Sequence, residues 1–405
     1  MARRFVVIGA GVAGGTAAAT LRERGFDGNV VLIGAEPHHP YERPPLSKSL
    51  LRGETPFRDC LVRPPDFWAE RDIEVRLGTA ASGVDLQSKV VKMVDDSEVP
   101  FDRLLLATGA RNRRPPLPGL DLAGVYDLRT VEDAERIRAE IAPGRRAVLA
   151  GMGFIGSEVA ASLRSLGVEV TVVAGGVAPL DRVLGEDVGR VLEGIHRDHG
   201  VTMHFGQRVA GLEGDGRVAQ VVTAGGGSFD CDFAVLGLGV EPATELAAAA
   251  GLDVEGGVVV DEWCRTTHPD VFAAGDVANH QHPLFGRHVR VEHWQNAVHQ
   301  GRAAALAMMG EGVGPYGDVH WFWSEQYEHR IEYAGFHTGW ERIAVRGSLD
   351  ERSFAAFYLK DGRVQAVAAL DRGRDVKGCM PLIRNGTRAD VDALVDEDTD
   401  LRSLA

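Results

Sequence analysis

One glycine pattern occurs twice in this 405-residue chain, at positions about 140 residues apart. The spacing Gly-x-Gly-x-x-Gly occupies residues 9–14 and again residues 151–156. Each copy follows a short apolar run, at 5–8 and at 147–150, and opens a segment with helical apolar spacing. A strand, a tight turn and a helix N-terminus in this order form a unit that binds a pyrophosphate. The repeat therefore predicts one chain that holds two dinucleotides, which can exchange electrons when they are held together.

Each glycine of the pattern has its own physical role. The first makes the turn, the second lets the backbone approach phosphate, and the third lets the helix pack against the strand. The glycines in these positions are Gly9, Gly11 and Gly14 in the first copy, and Gly151, Gly153 and Gly156 in the second. A second apolar strand follows each copy, and an acid that binds the adenosine ribose is expected where it ends. Glu36 stands there after the first copy, and Ala174 stands there after the second.

Composition narrows the class of protein. The length suits two or three domains. The formal net charge of −14 disfavours nucleic acid and anionic membranes as partners, and no apolar stretch approaches the 18 residues of a membrane span. The four cysteines lie far apart and form no Cys-x-x-Cys pair, so isolated thiols in a reducing, cytoplasmic compartment are expected. These cysteines are Cys60, Cys231, Cys264 and Cys379.

The order of apolar runs predicts an α/β fold with two nested Rossmann-like dinucleotide-binding domains and a C-terminal α+β domain. The run at 233–239 repeats the character of the run at 101–109, as two equivalent closing strands would. After about residue 315 the runs are short and alternating and are separated by turns such as Asp361-Gly362, which indicates antiparallel strands. The predicted domains are 1–110 with 241–314, then 111–240, and finally 315–405.

A third motif makes a family resemblance definite. Residues 267–277, which end in Ala274-Gly275-Asp276-Val277, resemble the flavin-binding end motif of flavoproteins with two dinucleotide-binding domains. With the segments 41–48 and 322–327, the whole chain resembles ferredoxin reductases of the putidaredoxin reductase and rhodocoxin reductase type, in the pyridine nucleotide-disulfide oxidoreductase superfamily. The resemblance implies FAD on the first glycine unit and a nicotinamide dinucleotide on the second.

The resemblance also implies roles for individual residues. Lys48, near the reactive edge of the flavin, and Glu158, facing it beside the nicotinamide, are the expected catalytic residues, with Trp294 as an aromatic near the flavin. Besides these three and the six glycines, the expected cofactor-binding residues are Glu36, Arg43, Thr108, Gly109, Gly239 and Asp276. No metal site is expected.

Structural alternatives remain open for these residues. Lys48 could be an exposed lysine after a turn, and Glu158 could be an acid in the first helical turn, where the helix dipole favours it. Asp276 could be a helix N-cap, and Trp294 could be a core aromatic.

The implied reaction is hydride transfer from NADH to FAD, followed by single-electron transfer to an iron–sulfur ferredoxin that feeds a cytochrome P450 or another oxygenase. The ferredoxin is expected to be acidic and of the [2Fe–2S] type, and the reductase to be a monomer or weak dimer. Docking to an acidic partner requires a local basic patch, for which Arg287, His288 and Arg290 are the first candidates. NADPH stays open as a substrate, because Ala174 is not an acid and the nearest arginine in sequence is Arg182.

The segment 41–48 contains no cysteine. Disulfide reductases of this fold carry a cysteine pair beside the flavin. The related peroxidases, oxidases and coenzyme A disulfide reductases carry a single cysteine in the region that corresponds to 41–48, so a thiol relay is not expected. The remaining alternatives are a rubredoxin reductase, an NADH oxidase, and a redox-signalling flavoprotein similar to apoptosis-inducing factors.

Overall fold

The computed structural model describes residues 2–310 and 314–405, which form two compact units. Unit 1 comprises Met1–Glu42, Arg58–Arg111 and Glu241–Trp321. Unit 2 comprises Arg43–Phe57, Asn112–Val240 and Phe322–Ala405. The segment Arg43–Phe57, which is predicted to belong to the first domain, clusters with unit 2.

The secondary structure follows in chain order. The strands are β1 (Arg4–Ile8), β2 (Asn29–Ile33), β3 (Ile73–Arg76), β4 (Ala81–Asp85), β5 (Val90–Met93), β6 (Glu98–Pro100), β7 (Arg103–Leu106), β8 (Ala110–Asn112), β9 (Val125–Tyr126), β10 (Arg146–Ala150), β11 (Glu169–Val173), β12 (Thr202–His204), β13 (Val209–Glu213), β14 (Gln220–Thr223), β15 (Ser228–Asp230), β16 (Phe233–Leu236), β17 (Val240–Pro242), β18 (Val258–Val260), β19 (Val271–Ala273), β20 (Ala278–His282), β21 (Arg287–Val289), β22 (Trp321–Gln326), β23 (His329–Gly335), β24 (Arg342–Ser348), β25 (Ser353–Lys360) and β26 (Arg363–Leu370). The helices are α1 (Val12–Glu23), α2 (Pro65–Glu70), α3 (Val131–Ala139), α4 (Phe154–Ser165), α5 (Asp181–Leu184), α6 (Glu186–Asp198), α7 (Glu245–Ala249), α8 (Trp294–Met309), α9 (Gly373–Asn385) and α10 (Val391–Val395).

A parallel five-stranded sheet forms the centre of unit 1, with strand order β19-β7-β1-β2-β3. The last residue of β1, Ile8, pairs with Ile33 of β2 and Leu106 of β7, and Leu106 also pairs with Ala273 of β19. These four strands therefore end along one edge, and the loops that follow them share that edge. In open parallel sheets, ligands bind in the crevice outside the carboxyl ends of the strands.

Unit 2 repeats this arrangement with the strand order β12-β11-β10-β16-β9, also parallel. Ala150 at the end of β10 pairs with Val173 of β11 and Leu236 of β16, and Val173 pairs with His204 of β12. Its carboxyl edge thus carries the second glycine turn beside the position of Ala174.

The C-terminal part of unit 2 contains a five-stranded sheet with the order β22-β23-β26-β25-β24, in which β23 to β26 pair antiparallel. Asp361 and Gly362 join β25 to β26, both with positive φ, at 52° and 69°, as a tight hairpin turn requires. Phe354 and Tyr358 of β25 pack in one core with Leu184 and Ile195 of helices α5 and α6. These sheets agree with the α/β class and the antiparallel C-terminal region that the sequence predicts. Among the described residues, no helix is sufficiently long and apolar to cross a bilayer.

Candidate active site

The first glycine turn lies in unit 1, directly after β1. Gly9 has φ of +113°, and a Cβ there would lie 2.1 Å from the carbonyl oxygen of Ala107. A Cβ on Gly14 would lie 1.9 Å from the carbonyl oxygen of Gly9, so both positions exclude a side chain. A Cβ on Gly11 would meet no atom within 4 Å. The middle glycine therefore opens onto free space, where a phosphate can approach the backbone.

The turn in unit 2 divides the same roles among its glycines. Gly151 has φ of +101°, and a Cβ there would lie 2.3 Å from the carbonyl oxygen of Gly237. A Cβ on Gly156 would lie 2.4 Å from the carbonyl oxygen of Gly151, whereas a Cβ on Gly153 would meet nothing within 4 Å. Both turns thus have two packed glycines and one that faces open space.

The helices that follow these turns have uncapped N-termini. Gly11 precedes α1 and Gly153 precedes α4, and neither position supplies a side-chain cap among the described residues. By contrast, α3 begins with a capping box between Thr130 and Asp133. Uncapped N–H groups at a helix start can bind an anion. The residues present in both units therefore fit a dinucleotide pyrophosphate.

Four predicted FAD-binding residues lie in loops after the carboxyl ends of the unit 1 strands. Glu36, beyond β2, accepts a hydrogen bond from the hydroxyl of buried Tyr41. Thr108, beyond β7, donates its hydroxyl hydrogen to the carbonyl oxygen of Ala243 at 2.7 Å, and Gly109 follows with φ of +70°. Asp276 is half-buried in the turn between β19 and β20, so it precedes a strand and is not a helix N-cap.

Two further predicted cofactor-binding residues are Trp294, at the start of a helix, and Gly239, after the end of a strand. Trp294 is the half-buried first residue of α8 in unit 1. Its neighbour His293 has a pKa that burial lowers to about 4. In unit 2, Gly239 follows β16 with φ of +89° and opens onto free space, and its carbonyl oxygen accepts the N–H of Arg113 at 2.9 Å.

Lys48 and Glu158 form a buried ion pair within unit 2. Lys48 follows a 3-10 turn at Pro44–Ser47 and is 6% exposed. Glu158 is the fifth residue of α4 and is 3% exposed. The Nζ atom of Lys48 lies 2.7 Å from Oε2 of Glu158. Lys48 is therefore not an exposed lysine, and Glu158 lies beyond the first turn of α4.

Two serines complete the environment of Glu158. The hydroxyl of Ser47 donates to the same Oε2 atom as Lys48, and the hydroxyl of Ser324 donates to Oε1 at 2.8 Å. Both carboxylate oxygens therefore have donors, as a buried charge requires. Neither serine is predicted from the sequence, although both lie in the segments 41–48 and 322–327, on which the family resemblance rests.

The hydrogen-bond network extends from Ser324 to helix α6. The Gln326 side-chain amide donates to Ser324 Oγ at 3.2 Å, and its Oε1 lies 3.0 Å from Nε2 of His196. The Nδ1 atom of His196 lies 3.0 Å from the hydroxyl of Tyr327. Burial lowers the pKa of His196 to about 4, so its ring is neutral at pH 7. A neutral ring that donates from Nε2 and accepts at Nδ1 satisfies both neighbours.

Arg43 precedes the same 3-10 turn and is half-buried. Its guanidinium donates to the backbone carbonyl oxygen of Arg129, also in unit 2. The structure thus connects Arg43 to the segment before α3.

The cysteines offer no reactive thiolate. All four are free and buried, and burial raises the pKa of each thiol above its ordinary value, that of Cys231 to about 11. Since the thiolate is the nucleophile, thiol chemistry is disfavoured at all four positions. Within residues 2–310 and 314–405, no group of His, Cys, Asp or Glu residues is arranged to hold a metal ion.

Comparison with known families identifies the fold and its chemistry. The model of the family "Pyridine nucleotide-disulphide oxidoreductase" matches residues 3–301. The chain belongs to this family. A second model, "Reductase C-terminal", matches residues 321–405.

Individual members of the pyridine nucleotide-disulphide oxidoreductases are similar over nearly the whole chain. Rhodocoxin reductase from Rhodococcus erythropolis is 38% identical, over 98% of this chain and 93% of its own length. The ferredoxin–NAD(+) reductase subunit of the benzene 1,2-dioxygenase system from Pseudomonas putida is 38% identical, over 100% and 98% respectively. Among solved structures, putidaredoxin reductase in its covalent complex with putidaredoxin matches with a TM-score of 0.96 and 34% identity, over 99% of this chain and 98% of that one.

These comparisons confirm the predicted family, the two Rossmann-like domains with a C-terminal domain, and an oxidoreductase that uses FAD and NADH. The roles of the individual site residues and the boundaries of the domains stay predictions.

Proposed function

We propose that this chain is an FAD-dependent NADH:ferredoxin reductase. When bound, FAD supplies the chemistry that joins a two-electron donor to one-electron acceptors. One NADH and two oxidised ferredoxins give NAD⁺, one proton and two reduced ferredoxins. The reduced ferredoxin then supplies a cytochrome P450 or another oxygenase with electrons.

One observation carries the choice of reaction within the family. The segment 41–48 contains no cysteine and places Lys48 against Glu158, while all four thiols of the chain are buried with raised pKa values. A disulfide substrate requires an accessible thiolate to attack it. A chain without one is suited to deliver electrons to a partner through space.

The contacts of Glu158 suggest how this chain's residues assist. Three donors hold the carboxylate, and the carboxylate in turn fixes the position of the Lys48 ammonium. A fixed positive charge stabilises negative charge that develops next to it without reorganisation. We assign Lys48 to this role at the flavin, Glu158 to positioning Lys48 and the nicotinamide, and Asp276 and Trp294 to binding FAD.

The partner is proposed from the relatives, two of which are named for ferredoxin or putidaredoxin. We propose an acidic [2Fe–2S] ferredoxin, and a cytoplasmic reductase that is a monomer or weak dimer. The candidate basic patch includes Arg287 and His288 of β21, with Arg290 just beyond it. Arg290 lies 2.5 Å from Glu292, which offsets its charge. We expect charge reversal in this patch, in R287E or R290E, to slow ferredoxin reduction at low salt and not at high salt.

The function is tested by anaerobic titration. NADH should bleach the flavin absorbance with one equivalent per flavin, and two equivalents of an oxidised [2Fe–2S] ferredoxin should restore it. K48M should slow the bleaching while the protein still binds FAD. R342Q, which removes an exposed positive charge from β24, should behave as the unchanged protein.

Other results would assign another function. Rapid oxygen consumption without a partner would indicate an NADH oxidase. Slow turnover with every ferredoxin, together with a change in sedimentation when NADH is added, would indicate a signalling flavoprotein. Colourless protein that does not take up FAD would contradict the proposal entirely.

A further inference from the structure

The end of β11 in unit 2 lacks the acidic residue that normally binds the adenosine ribose at this position. Val173 ends the strand, and Ala174, which is 7% exposed, is followed by Gly175 and Gly176. An Asp or Glu at this position binds the ribose 2′-hydroxyl of NADH and repels the 2′-phosphate of NADPH. Ala174 provides neither the hydrogen bond nor the repulsion.

Backbone hydrogen bonds fasten another loop beside this strand end. Ala174 donates its N–H to the carbonyl oxygen of His204 at 3.0 Å, and Gln207 donates to the carbonyl oxygen of Ala174 at 3.1 Å. Gly206 donates to the carbonyl oxygen of Gly176 at 2.8 Å. The loop that follows β12 is thereby held against residues 174–176, and its position does not depend on any flexible side chain.

Arg208 is the charged residue that this loop brings to the strand end. Its Cγ atom lies 3.6 Å from the place where a Cβ of Gly175 would be. The side chain is exposed, and its guanidinium has no hydrogen-bond or ion-pair partner within residues 2–310 and 314–405. Arg190 and Arg217 of the same unit both pair with carboxylates.

We propose that Arg208 binds the 2′-phosphate of NADPH, so that the chain accepts NADPH as well as NADH; this rests on the proposed binding of a nicotinamide dinucleotide by unit 2. A guanidinium binds phosphate through two parallel N–H donors and keeps its charge at every relevant pH. The glycines at 175 and 176 place no side chain between Arg208 and the strand end. The loop after β12 thus supplies the arginine that recognises the 2′-phosphate, whereas the sequence pattern predicts such an arginine after β11.

One carboxylate, that of Asp181, lies close to Gly176 in the loop after β11. The oxygens of Asp181 lie 2.8 and 2.9 Å from the position of a Cβ on Gly176. They accept the backbone N–H groups of Val177 and Arg182, both at 2.9 Å. Both oxygens are therefore engaged in closing the loop, and the adjacent Arg182 adds a positive charge.

The test compares two fragments of the nicotinamide dinucleotides. AMP and 2′,5′-ADP differ only in the 2′-phosphate, and calorimetry of the FAD-loaded protein measures the dissociation constant of each. We expect the unchanged protein to bind 2′,5′-ADP at least as tightly as AMP. R208Q should weaken 2′,5′-ADP by at least about tenfold, the effect of losing a charge-assisted hydrogen bond, and leave AMP within about twofold. R342Q is the matched control and should change neither constant.

Two results would overturn the proposal. One is tighter binding of AMP than of 2′,5′-ADP by the unchanged protein. Another is an R208Q variant in which the ratio of the two constants does not change. Ferredoxin reduction by NADH is measured on the same samples, so a failure of the proposed function is seen separately from a failure of 2′-phosphate recognition.

Discussion

The pair formed by Lys48 and Glu158 provides a quantitative test of the site, because removing one partner leaves a buried charge unpaired. In E158Q the ammonium of Lys48 remains 6% exposed with no carboxylate at 2.7 Å. Breaking a buried ion pair in this way costs about 3–5 kcal/mol. In the double variant K48M/E158Q both charges are absent, and we expect at least half of that loss to be recovered.

Thermal unfolding measures the effect. One kcal/mol lowers Tm by about 2–4 °C in a cooperative unit of 150–250 residues. The loss of 3 kcal/mol in E158Q should therefore lower the Tm of unit 2 by about 6–12 °C, measured by circular dichroism of the FAD-loaded protein. The control is E186Q, which removes the exposed partner of Arg190 four residues along α6. An exposed pair of this kind contributes about 0–1 kcal/mol, so its Tm should fall by no more than about 4 °C.

The double-mutant cycle measures whether the two charges stabilise one another. If the shifts of K48M and E158Q add up to that of K48M/E158Q, the two charges do not stabilise one another. The hydrogen bonds from Ser47 and Ser324 would then hold Glu158 by themselves, and the position of Lys48 could not be attributed to it. A coupling of at least about 1.5 kcal/mol, half the smallest expected loss, supports the pair.

Three further predictions concern the glycine turn, the acid stability and the thiols. G11A should fold with an unchanged Tm and a lower FAD-to-protein ratio, because its methyl group enters open space at the phosphate position. G14A should instead lower the Tm, because its Cβ would lie 1.9 Å from the carbonyl oxygen of Gly9. Burial lowers the pKa of His196 from 6.5 to about 4, so as the pH falls the unfolded chain takes up a proton at this residue before the folded chain does. The contribution of His196 to the free energy of unfolding is therefore unchanged above pH 6.5 and falls by about 3 kcal/mol as the pH drops towards 4. Between pH 7 and pH 4.5 the urea midpoint of unfolding should therefore fall less in H196Q than in the unchanged protein. An equal fall of the midpoint in both proteins would contradict this. N-ethylmaleimide should leave ferredoxin reduction unchanged in native buffer and label all four cysteines in denaturant, because each is buried with a raised pKa.

Periodicity and glycine spacing predicted the parts of the fold that local chemistry determines. The strands that begin at Arg4 and Arg146 and the turns at Gly9 and Gly151 follow from apolar runs and from φ values that only glycine adopts readily. Helix α9 was not predicted, because Pro381 lies inside it and interrupts the helical pattern.

The candidate site was predicted only in part, because its contacts join distant segments. Lys48 and Glu158 were assigned from the family resemblance, and they meet across 110 positions of sequence. Ser324 reaches Glu158 across 166 positions, and no local pattern marks a serine as a donor to a distant carboxylate. Such contacts depend on which strands pair and which helices pack, so they become visible only in the folded chain.

The two units are alike at their glycine turns and differ at the end of their second strands. Both glycine turns have a backbone geometry that fits a pyrophosphate, and their packing distances are nearly the same. The residue after the second strand is different, because Glu36 presents an acid in unit 1 and Ala174 presents none in unit 2. An acid rejects a second phosphate on the ribose, and an alanine beside an unpaired Arg208 does not. If nucleotide choice is decided at this position, substitutions in the glycine turn at residues 151–156 should weaken AMP and 2′,5′-ADP equally, while substitutions at Arg208 should weaken 2′,5′-ADP and leave AMP nearly unchanged.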